Sequence, residues 1–182
     1  MGTPVFIAGP TASGKSAVAL EIAQRLNGEI ISVDSMQVYR GLDLGTAKPT
    51  AEERACVLHH HIDILELTES FDAARFVART KSLIKKIKRP VFCGGTGLYF
   101  SAWLEGLGEA PQANATMRAE LEDVDLETLV AELLEHDPVT HATIDRQNRR
   151  RVVRAVEVIR LTGKPFSEQR AEWTGQVPPN FF

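Results

Sequence analysis

One short segment near the N-terminus constrains the fold of this chain more than any other. Residues 9–16 read GPTASGKS and fit the pattern G-x-x-x-x-G-K-[ST]. The β-rich run PVFIAG (4–9) precedes this segment, and a run with helical spacing follows it at residues 15–28. A phosphate-binding loop needs this strand–loop–helix context, whereas an accidental glycine-rich turn does not. The segment therefore predicts a loop that cradles phosphate groups.

The residue types of the loop suit the binding of phosphates and of a divalent cation. Glycines let backbone N–H groups converge on phosphate oxygens, and the N-terminus of the following helix adds partial positive charge. Lys15 can neutralise a phosphate oxygen, and the Ser16 hydroxyl can ligate Mg²⁺. The expected phosphate-binding residues are Gly9, Pro10, Thr11, Ala12, Ser13, Gly14, Lys15 and Ser16. The loop alone does not say which group is transferred.

Strands alternate with helices through the N-terminal part of the sequence. The runs EIISVD (29–34) and PVFCGG (90–95) are short and apolar and end at aspartate or glycine, as buried parallel strands do. We expect a loop at residues 35–50 and an amphipathic helix with a basic tail at residues 71–89. This alternation predicts an α/β fold, with a P-loop NTPase-like parallel sheet flanked by helices.

The character of the sequence changes beyond residue 104. Helical spacing is then almost continuous, with Asp137 and Asn148 as expected helix starts and Gly163 as an expected stop. We expect three parts: a P-loop catalytic core at 1–104, a helical insertion at 105–163 and a C-terminal segment at 164–182 that begins the return to the core.

Composition narrows the classes of function. The chain has 182 residues and a net charge of −3, so any contact with nucleic acid must come from a local basic patch. No apolar run reaches membrane-spanning length, and the N-terminus lacks the pattern of a secretory signal. We therefore expect a cytoplasmic protein without a membrane partner. Cys56 and Cys93 match no metal-ligand spacing and are expected to be plain thiols.

Two polar groups follow strands at the edge where parallel sheets bind ligands. Asp34 ends the run EIISVD (29–34). Its carboxylate can act there as a general base or, equally, can only accept hydrogen bonds that stabilise a turn. The segment CGGTGLY (93–99) overlaps the end of the run PVFCGG (90–95), and Thr96 supplies a hydroxyl at the same edge. Small residues in that segment allow close approach of the backbone.

Two further segments have a functional and a structural interpretation. The run HHHID (59–63) suggests a metal site, but consecutive side chains of an extended segment point in different directions, so packing and hydrogen bonding are favoured. The segment DRQNRRRVVRAVEVIR (145–160) is basic. It can bind the phosphate backbone of a nucleic acid, with RNA favoured, or it can simply form a charged helix face exposed to solvent. On a helix, Gln147, Arg150 or Arg151, and Arg154 would share one side.

These motifs together resemble the tRNA dimethylallyltransferase family, also called isopentenyl-diphosphate:tRNA transferases. The matching segments are GPTASGKS, DSMQVYRGLDLGTAKP, HHHID, CGGTGLY and DPVTHATID…RRVVRAVEV…TGKPFS, in the order of the family and over nearly the whole chain. The resemblance implies transfer of a dimethylallyl group from dimethylallyl diphosphate to N6 of adenine-37 beside the tRNA anticodon. It also implies that the loop holds the departing pyrophosphate, assisted by Mg²⁺, and it implies nucleotide binding, including ATP binding, by the same loop.

The resemblance assigns roles to individual residues. Asp34 looks like the general base of the family, and Thr96 like the threonine that positions the reacting groups. The partner is the tRNA anticodon stem-loop, and we expect a monomer. The implied tRNA contacts are Asp34, Ser35, Met36, Gln37, Thr96, Arg118, Gln147, Asn148, Arg149, Arg150 and Arg151.

Two departures from the family pattern stand out. His61 occupies a position where the family usually has leucine, which is expected to alter packing only. Family members usually continue well beyond the TGKP segment, so the chain is short at its C-terminus by comparison. Two alternatives remain: a small-molecule P-loop kinase of the shikimate-kinase kind, and a shortened relative that binds tRNA without turnover.

Overall fold

The computed structural model describes residues 2–182. The chain divides into two units. An α/β unit comprises the residues up to Glu105 together with Trp173–Phe182, and a helical unit comprises Gly106–Glu172. Among residues 2–182, no helix combines the length and the apolar character needed to span a membrane.

The α/β unit is built on a parallel sheet of four strands. The strands lie in the order β1-β4-β2-β3. Their bounds are Val5–Ala8 for β1, Glu29–Val33 for β2, His59–His60 for β3 and Pro90–Gly94 for β4. The helices of this unit are α1 (Lys15–Leu26), α2 (Ala51–Cys56), α3 (Ala73–Ile84) and α4 (Gly97–Leu104). This arrangement confirms the predicted α/β class and the parallel sheet flanked by helices.

Apolar residues cover both faces of the sheet. On one face, Phe6 and Phe92 stack with their ring centroids 4.9 Å apart and belong to a core shared with Phe76 of α3. On the other face, Ala19 and Ala23 of α1 belong to a second core cluster. All residues of β4 are buried because this strand has a neighbour on each side and packed side chains above and below.

The boundaries of two elements differ from the sequence-based predictions. The helix expected at 71–89 is α3, which starts after its Asp72 cap and ends at Ile84. Its basic tail therefore lies outside the helix. The histidine run contributes the short strand β3, which pairs with β2 at the edge of the sheet. Only this pairing identifies the segment as a strand, because its side chains are polar.

The last residues of the chain lie along β1. Phe181 forms a parallel bridge with Phe6. The Phe6 N–H donates to the Asn180 carbonyl at 2.9 Å, and the Phe182 N–H donates to the Phe6 carbonyl at 2.8 Å. These bonds satisfy backbone groups on the side of β1 that faces away from β4.

The helical unit contains four α-helices. They are α5 (Ala115–Glu122), α6 (Leu126–His136), α7 (Pro138–Thr143) and α8 (Arg149–Thr162), followed by a 3₁₀ turn at Phe166–Glu168. An aspartate or asparagine side chain caps the N-terminus of each α-helix: Asn114, Asp125, Asp137 and Asn148. Gly163 ends α8 with a left-handed backbone, φ 69°. The predicted helix starts and stop are therefore confirmed.

Candidate functional site

The strand register brings the loop, Asp34 and Thr96 to one edge of the sheet. Ala8 of β1 and Val33 of β2 are both partners of Gly94 of β4. The residues that follow these three therefore leave the sheet side by side, at the carboxyl ends of the strands. Across this edge, the Thr96 N–H donates to the Val33 carbonyl at 3.1 Å. Ligands of open α/β sheets bind at this edge.

Glycines make the close approach of these strands possible. A Cβ atom at Gly94 would clash with the carbonyl oxygen of Val33, and one at Gly95 would lie 3.3 Å from the carbonyl oxygen of Gly9. The CGGTG segment therefore keeps the strand ends tightly together. This geometry explains the small residues that the sequence places there.

The GPTASGKS segment forms a compact loop at the N-terminus of α1. Ala12 and Gly14 have positive φ angles, 65° and 82°, which turn successive backbone groups into a concave surface of the kind that binds anions. The Lys15 ammonium donates to the Pro10 carbonyl at 3.0 Å, so it lies over the loop. A phosphate oxygen would compete well for this ammonium because a charged acceptor makes the stronger hydrogen bond.

Asp34 serves the turn that its sequence context allowed, while its role as a general base stays a prediction. Its Oδ1 atom accepts hydrogen bonds from the Met36 N–H at 2.8 Å and the Gln37 N–H at 3.2 Å, which forms a tight turn. Among residues 2–182, no other group donates a hydrogen bond to this carboxylate, so Oδ2 is available for a proton. Thr96 supports the same turn, since its Oγ1 accepts from the Ser35 N–H at 3.0 Å.

Gln37 is committed to holding the loop that follows β2. Its Oε1 accepts from the Ser32 hydroxyl at 2.8 Å. Its Nε2 donates to the carbonyls of Thr46 at 3.0 Å and Ala47 at 2.9 Å. The amide therefore connects the sheet to the far end of the loop. A direct tRNA contact by Gln37 stays a prediction.

A small cavity of about 30 Å³ opens beside the loop and Asp34. Lys15, Ser16 and Asp34 line it, and so does His59, which the sequence analysis did not assign to the site. His59 pairs in register with Ile30 of β2, so the two side chains lie on the same face of the sheet, and both line the cavity. Its Nδ1 is 2.8 Å from the Val57 carbonyl, and burial lowers the pKa of the ring, so the imidazole is neutral at pH 7. Only the β2–β3 pairing could have revealed this position.

The other two histidines of the run have separate surroundings. His60 Nε2 lies 2.6 Å from a Glu29 carboxylate oxygen. His61 is buried, and its ring packs edge-on against Phe76. The three imidazoles therefore do not converge, as expected for an extended segment. Within residues 2–182, no group of three or more histidine, cysteine or acidic side chains has the geometry of a metal site.

The basic segment of the helical unit divides into half-buried and exposed arginines. Arg149 donates through Nη2 to the carbonyls at the end of α5, those of Leu121, Glu122 and Val124. Arg154 pairs with Glu157. Arg150 and Arg151 are exposed on α8. The shared side expected for Gln147 and Arg154 is wrong, because α8 begins only at Arg149 and Gln147 precedes it.

The residues expected to contact tRNA differ in how far their side chains are free to bind it. Asn148 caps α8 through its side chain, and Arg118 pairs with Glu157 while remaining partly exposed. Ser35 is half-buried, and Met36 is exposed next to Asp34. The tRNA-binding roles of all of these residues stay predictions.

The fold and the site define a P-loop protein whose phosphate loop faces a carboxylate across the carboxyl edge of a parallel sheet. The family model described as IPP transferase matches residues 37–182. The chain therefore belongs to the IPP transferase family, as its motifs predicted.

Individual relatives agree with this assignment. The chain is 52% identical to tRNA dimethylallyltransferase 1 of Trichlorobacter lovleyi, over 92% of this chain and 58% of that relative. It is 46% identical to the tRNA dimethylallyltransferase of Xanthomonas campestris, over 96% of this chain and 56% of the relative. The chain thus spans a little over half the length of the curated relatives it matches.

Solved structures show the same fold. The full-length tRNA isopentenylpyrophosphate transferase of Bacillus halodurans matches with a TM-score of 0.57 and 45% identity, over 91% of this chain and 58% of that one. A eukaryotic dimethylallyltransferase, described as acting on tRNA, matches with a TM-score of 0.73 and 30% identity, over 94% and 46% of the two chains. The P-loop NTPase-like fold expected from the sequence is confirmed.

Proposed function

We propose that this protein transfers the dimethylallyl group of dimethylallyl diphosphate to N6 of adenine-37 in tRNA and releases pyrophosphate. The observation that carries the proposal is that Lys15 and Ser16 of the phosphate loop line one cavity together with Asp34. A loop of this kind suits a diphosphate, and a carboxylate beside it suits removal of a proton from the attacking amine. The names of the relatives, tRNA dimethylallyltransferases, support the choice of substrates.

Each step of the reaction has a group to perform it. The N6 amine is a poor nucleophile because its lone pair delocalises into the adenine ring. Oδ2 of Asp34 accepts the proton as the C–N bond forms and the bond from the allylic carbon to the diphosphate oxygen breaks. The loop amides and the Lys15 ammonium neutralise the charge that develops on the departing pyrophosphate. Thr96 keeps the Asp34 turn in place through its bond to the Ser35 N–H.

The donor set around the loop fits Mg²⁺. Ser16 lines the cavity beside the loop, and its hydroxyl would hold the ion, since Mg²⁺ in phosphate sites takes one or two protein oxygens besides phosphate and water. When bound, the ion would supply additional positive charge for the diphosphate oxygens.

The helical unit supplies the contacts to the anticodon stem-loop in this proposal. The exposed Arg150 and Arg151 on α8 support this assignment, since exposed cations bind phosphate backbones. We further propose that residues 105–163 act as the tRNA-binding insertion of a core formed by residues 1–104, from which residues 164–182 lead back. The protein is proposed to act as a monomer in the cytoplasm.

Transfer of radiolabelled dimethylallyl to an anticodon stem-loop RNA containing adenine-37 tests the proposal. We expect transfer by the wild-type chain and a loss of about 10²–10⁴-fold in the rate for Asp34→Asn. The matched control is Glu52→Gln, an exposed acidic residue of α2 in the same unit, which should keep the wild-type rate. A folded chain without transfer would refute the proposal, and RNA-independent turnover of ATP with a small alcohol would support a kinase instead.

A further inference from the structure

The helical unit contains a buried carboxylate that the proposed reaction does not use. Glu157 on α8 is fully buried, and both of its oxygens accept hydrogen bonds. Oε1 accepts from the Asn114 N–H at 2.7 Å and from Nε of Arg118 at 3.1 Å. Oε2 accepts from Nη1 of Arg154 at 2.7 Å and from Nη2 of Arg118 at 3.3 Å. The carboxylate therefore joins two arginines and one backbone amide.

The charges of this cluster do not cancel. Burial raises the pKa of Glu157, but the hydrogen bonds from Arg154, Asn114 and Arg118 outweigh it and lower the pKa below its ordinary value. The group is therefore ionised at neutral pH. Two positive guanidinium groups and one negative carboxylate leave a net charge of +1.

The excess positive charge is accessible on Arg118. Arg154 makes a second bond inside the unit, from Nη2 to the Pro111 carbonyl at 2.6 Å. The Arg118 side chain is 45% exposed, although it also contacts the buried carboxylate. Arg154 thus offsets the charge of Glu157, and the guanidinium of Arg118 keeps its attraction for an anion.

The geometry of the Arg118 guanidinium leaves one donor edge free of the carboxylate. Nε and Nη2 face Glu157, so the two N–H groups of Nη1 and the second N–H of Nη2 point away from it. A guanidinium is planar and rigid, so holding one edge fixes the direction of the other. A phosphate group accepts two parallel N–H bonds from such an edge.

We propose that Glu157 is a positioning residue for RNA binding, which holds Arg118 so that its outer edge binds a phosphate of the anticodon arm. This inference rests on the proposed function, because it specifies how the helical unit holds its RNA. An arginine that is oriented in advance loses less side-chain freedom when the phosphate binds.

Binding of an anticodon stem-loop RNA, measured by fluorescence anisotropy over a range of salt concentrations, separates positioning from simple charge. Removal of a negative charge alone should tighten RNA binding. Under the proposal, Glu157→Gln instead weakens binding about tenfold, because Arg118 loses its orientation. It also reduces the salt slope toward that of Arg118→Gln, which should be about one unit smaller than that of the wild type.

A second ion pair of the helical unit offers a matched control. Arg160 of α8 binds Glu132 through Nε at 2.8 Å and Nη2 at 2.6 Å, a second two-bonded pair within the helical unit. Glu132→Gln removes the same charge as Glu157→Gln but leaves Arg118 untouched. We expect its affinity for the RNA to equal or exceed that of the wild type.

A variant of Arg118 keeps the test decisive if Glu157→Gln reduces folding, which circular dichroism melting would reveal. Arg118→Lys keeps the charge on an exposed side chain but lacks the planar guanidinium, in which holding one edge fixes the direction of the other, so it should also weaken binding. The double variant Arg118→Gln/Glu157→Gln should bind like Arg118→Gln alone. Wild-type affinity in Arg118→Lys, or unweakened binding by folded Glu157→Gln, would overturn the inference. A wild-type chain that fails to bind the RNA would overturn the proposed RNA contact itself.

Discussion

Replacing His61 with leucine should make the α/β unit less sensitive to acid. His61 follows β3 and is 4% exposed. Its ring centroid lies 5.4 Å from that of Phe76 and 6.2 Å from that of Phe71, both in edge-on geometry. Burial is the main cause that lowers the pKa of His61 to about 4, and the charges of Arg79 and His60 lower it further.

The direction of the pH effect follows from the two pKa values. In the unfolded chain the pKa of His61 is 6.5, and in the folded chain it is about 4. Between these values the unfolded chain binds a proton that the folded chain excludes. The free energy of unfolding therefore has its full value above pH 6.5 and falls as the pH is lowered toward 4. At 1.36 kcal/mol per pH unit, the loss is about 2 kcal/mol at pH 5 and about 3 kcal/mol at pH 4.

Urea unfolding followed by tryptophan fluorescence measures this effect in the relevant unit. The two tryptophans of the chain, Trp103 and Trp173, both belong to the α/β unit. His61 has a positive φ of 63°, which leucine also adopts only at a cost, but this cost is the same at every pH and cancels. Between pH 7.5 and pH 5, the wild type should lose about 2 kcal/mol more than His61→Leu. Equal losses in the two proteins would refute the assignment of a neutral, buried His61.

Two more predictions concern the packing around the site. The Lys48 side chain is 4% exposed, and its ammonium lies 2.6 Å from an Asp63 carboxylate oxygen. Lys48→Met should therefore lower the free energy of unfolding by about 3 kcal/mol, as measured by urea titration. A change below about 1 kcal/mol would contradict a buried ion pair. Gly94→Ala should cost about 4 kcal/mol or prevent folding, because its Cβ would clash with the Val33 carbonyl. Gly95→Ala needs only a small shift of the Gly9 carbonyl, 3.3 Å from its Cβ, and should melt at a clearly higher temperature than Gly94→Ala by circular dichroism. Similar melting temperatures for the two variants would contradict the strand geometry.

Local signals predicted the elements that carry the site. The glycine-rich loop between a strand and a helix, and the apolar runs that end at Asp34 and Gly95, needed only short-range information. The helix starts at Asp137 and Asn148 were equally local, because a capping side chain bonds to the backbone three residues further on. The end of α3 at Ile84 was missed, because lysine and arginine continue a helical pattern without fixing where it stops.

Hydrogen bonds between distant segments decided what individual side chains do. Arg149 closes the end of α5 and Gln37 holds the loop after β2, although both lie in segments that resemble tRNA contacts. His59 lines the cavity only because β3 pairs with β2. No local pattern encodes such partners, since a guanidinium, an amide or an imidazole bonds whatever the fold brings near it.

The sequence by itself determined the phosphate loop, the alternation of the buried strands with helices, and the family, because these depend on residue types at short spacing. The tertiary structure alone decided which polar groups remain available at the edge of the sheet and on α8. It leaves Oδ2 of Asp34, a residue that lines the cavity, without a hydrogen-bond partner in the described part of the chain, and it holds Arg118 against Glu157 with part of its guanidinium exposed. The physical reason is that availability depends on every neighbour that competes for a hydrogen bond, and those neighbours come from remote parts of the chain.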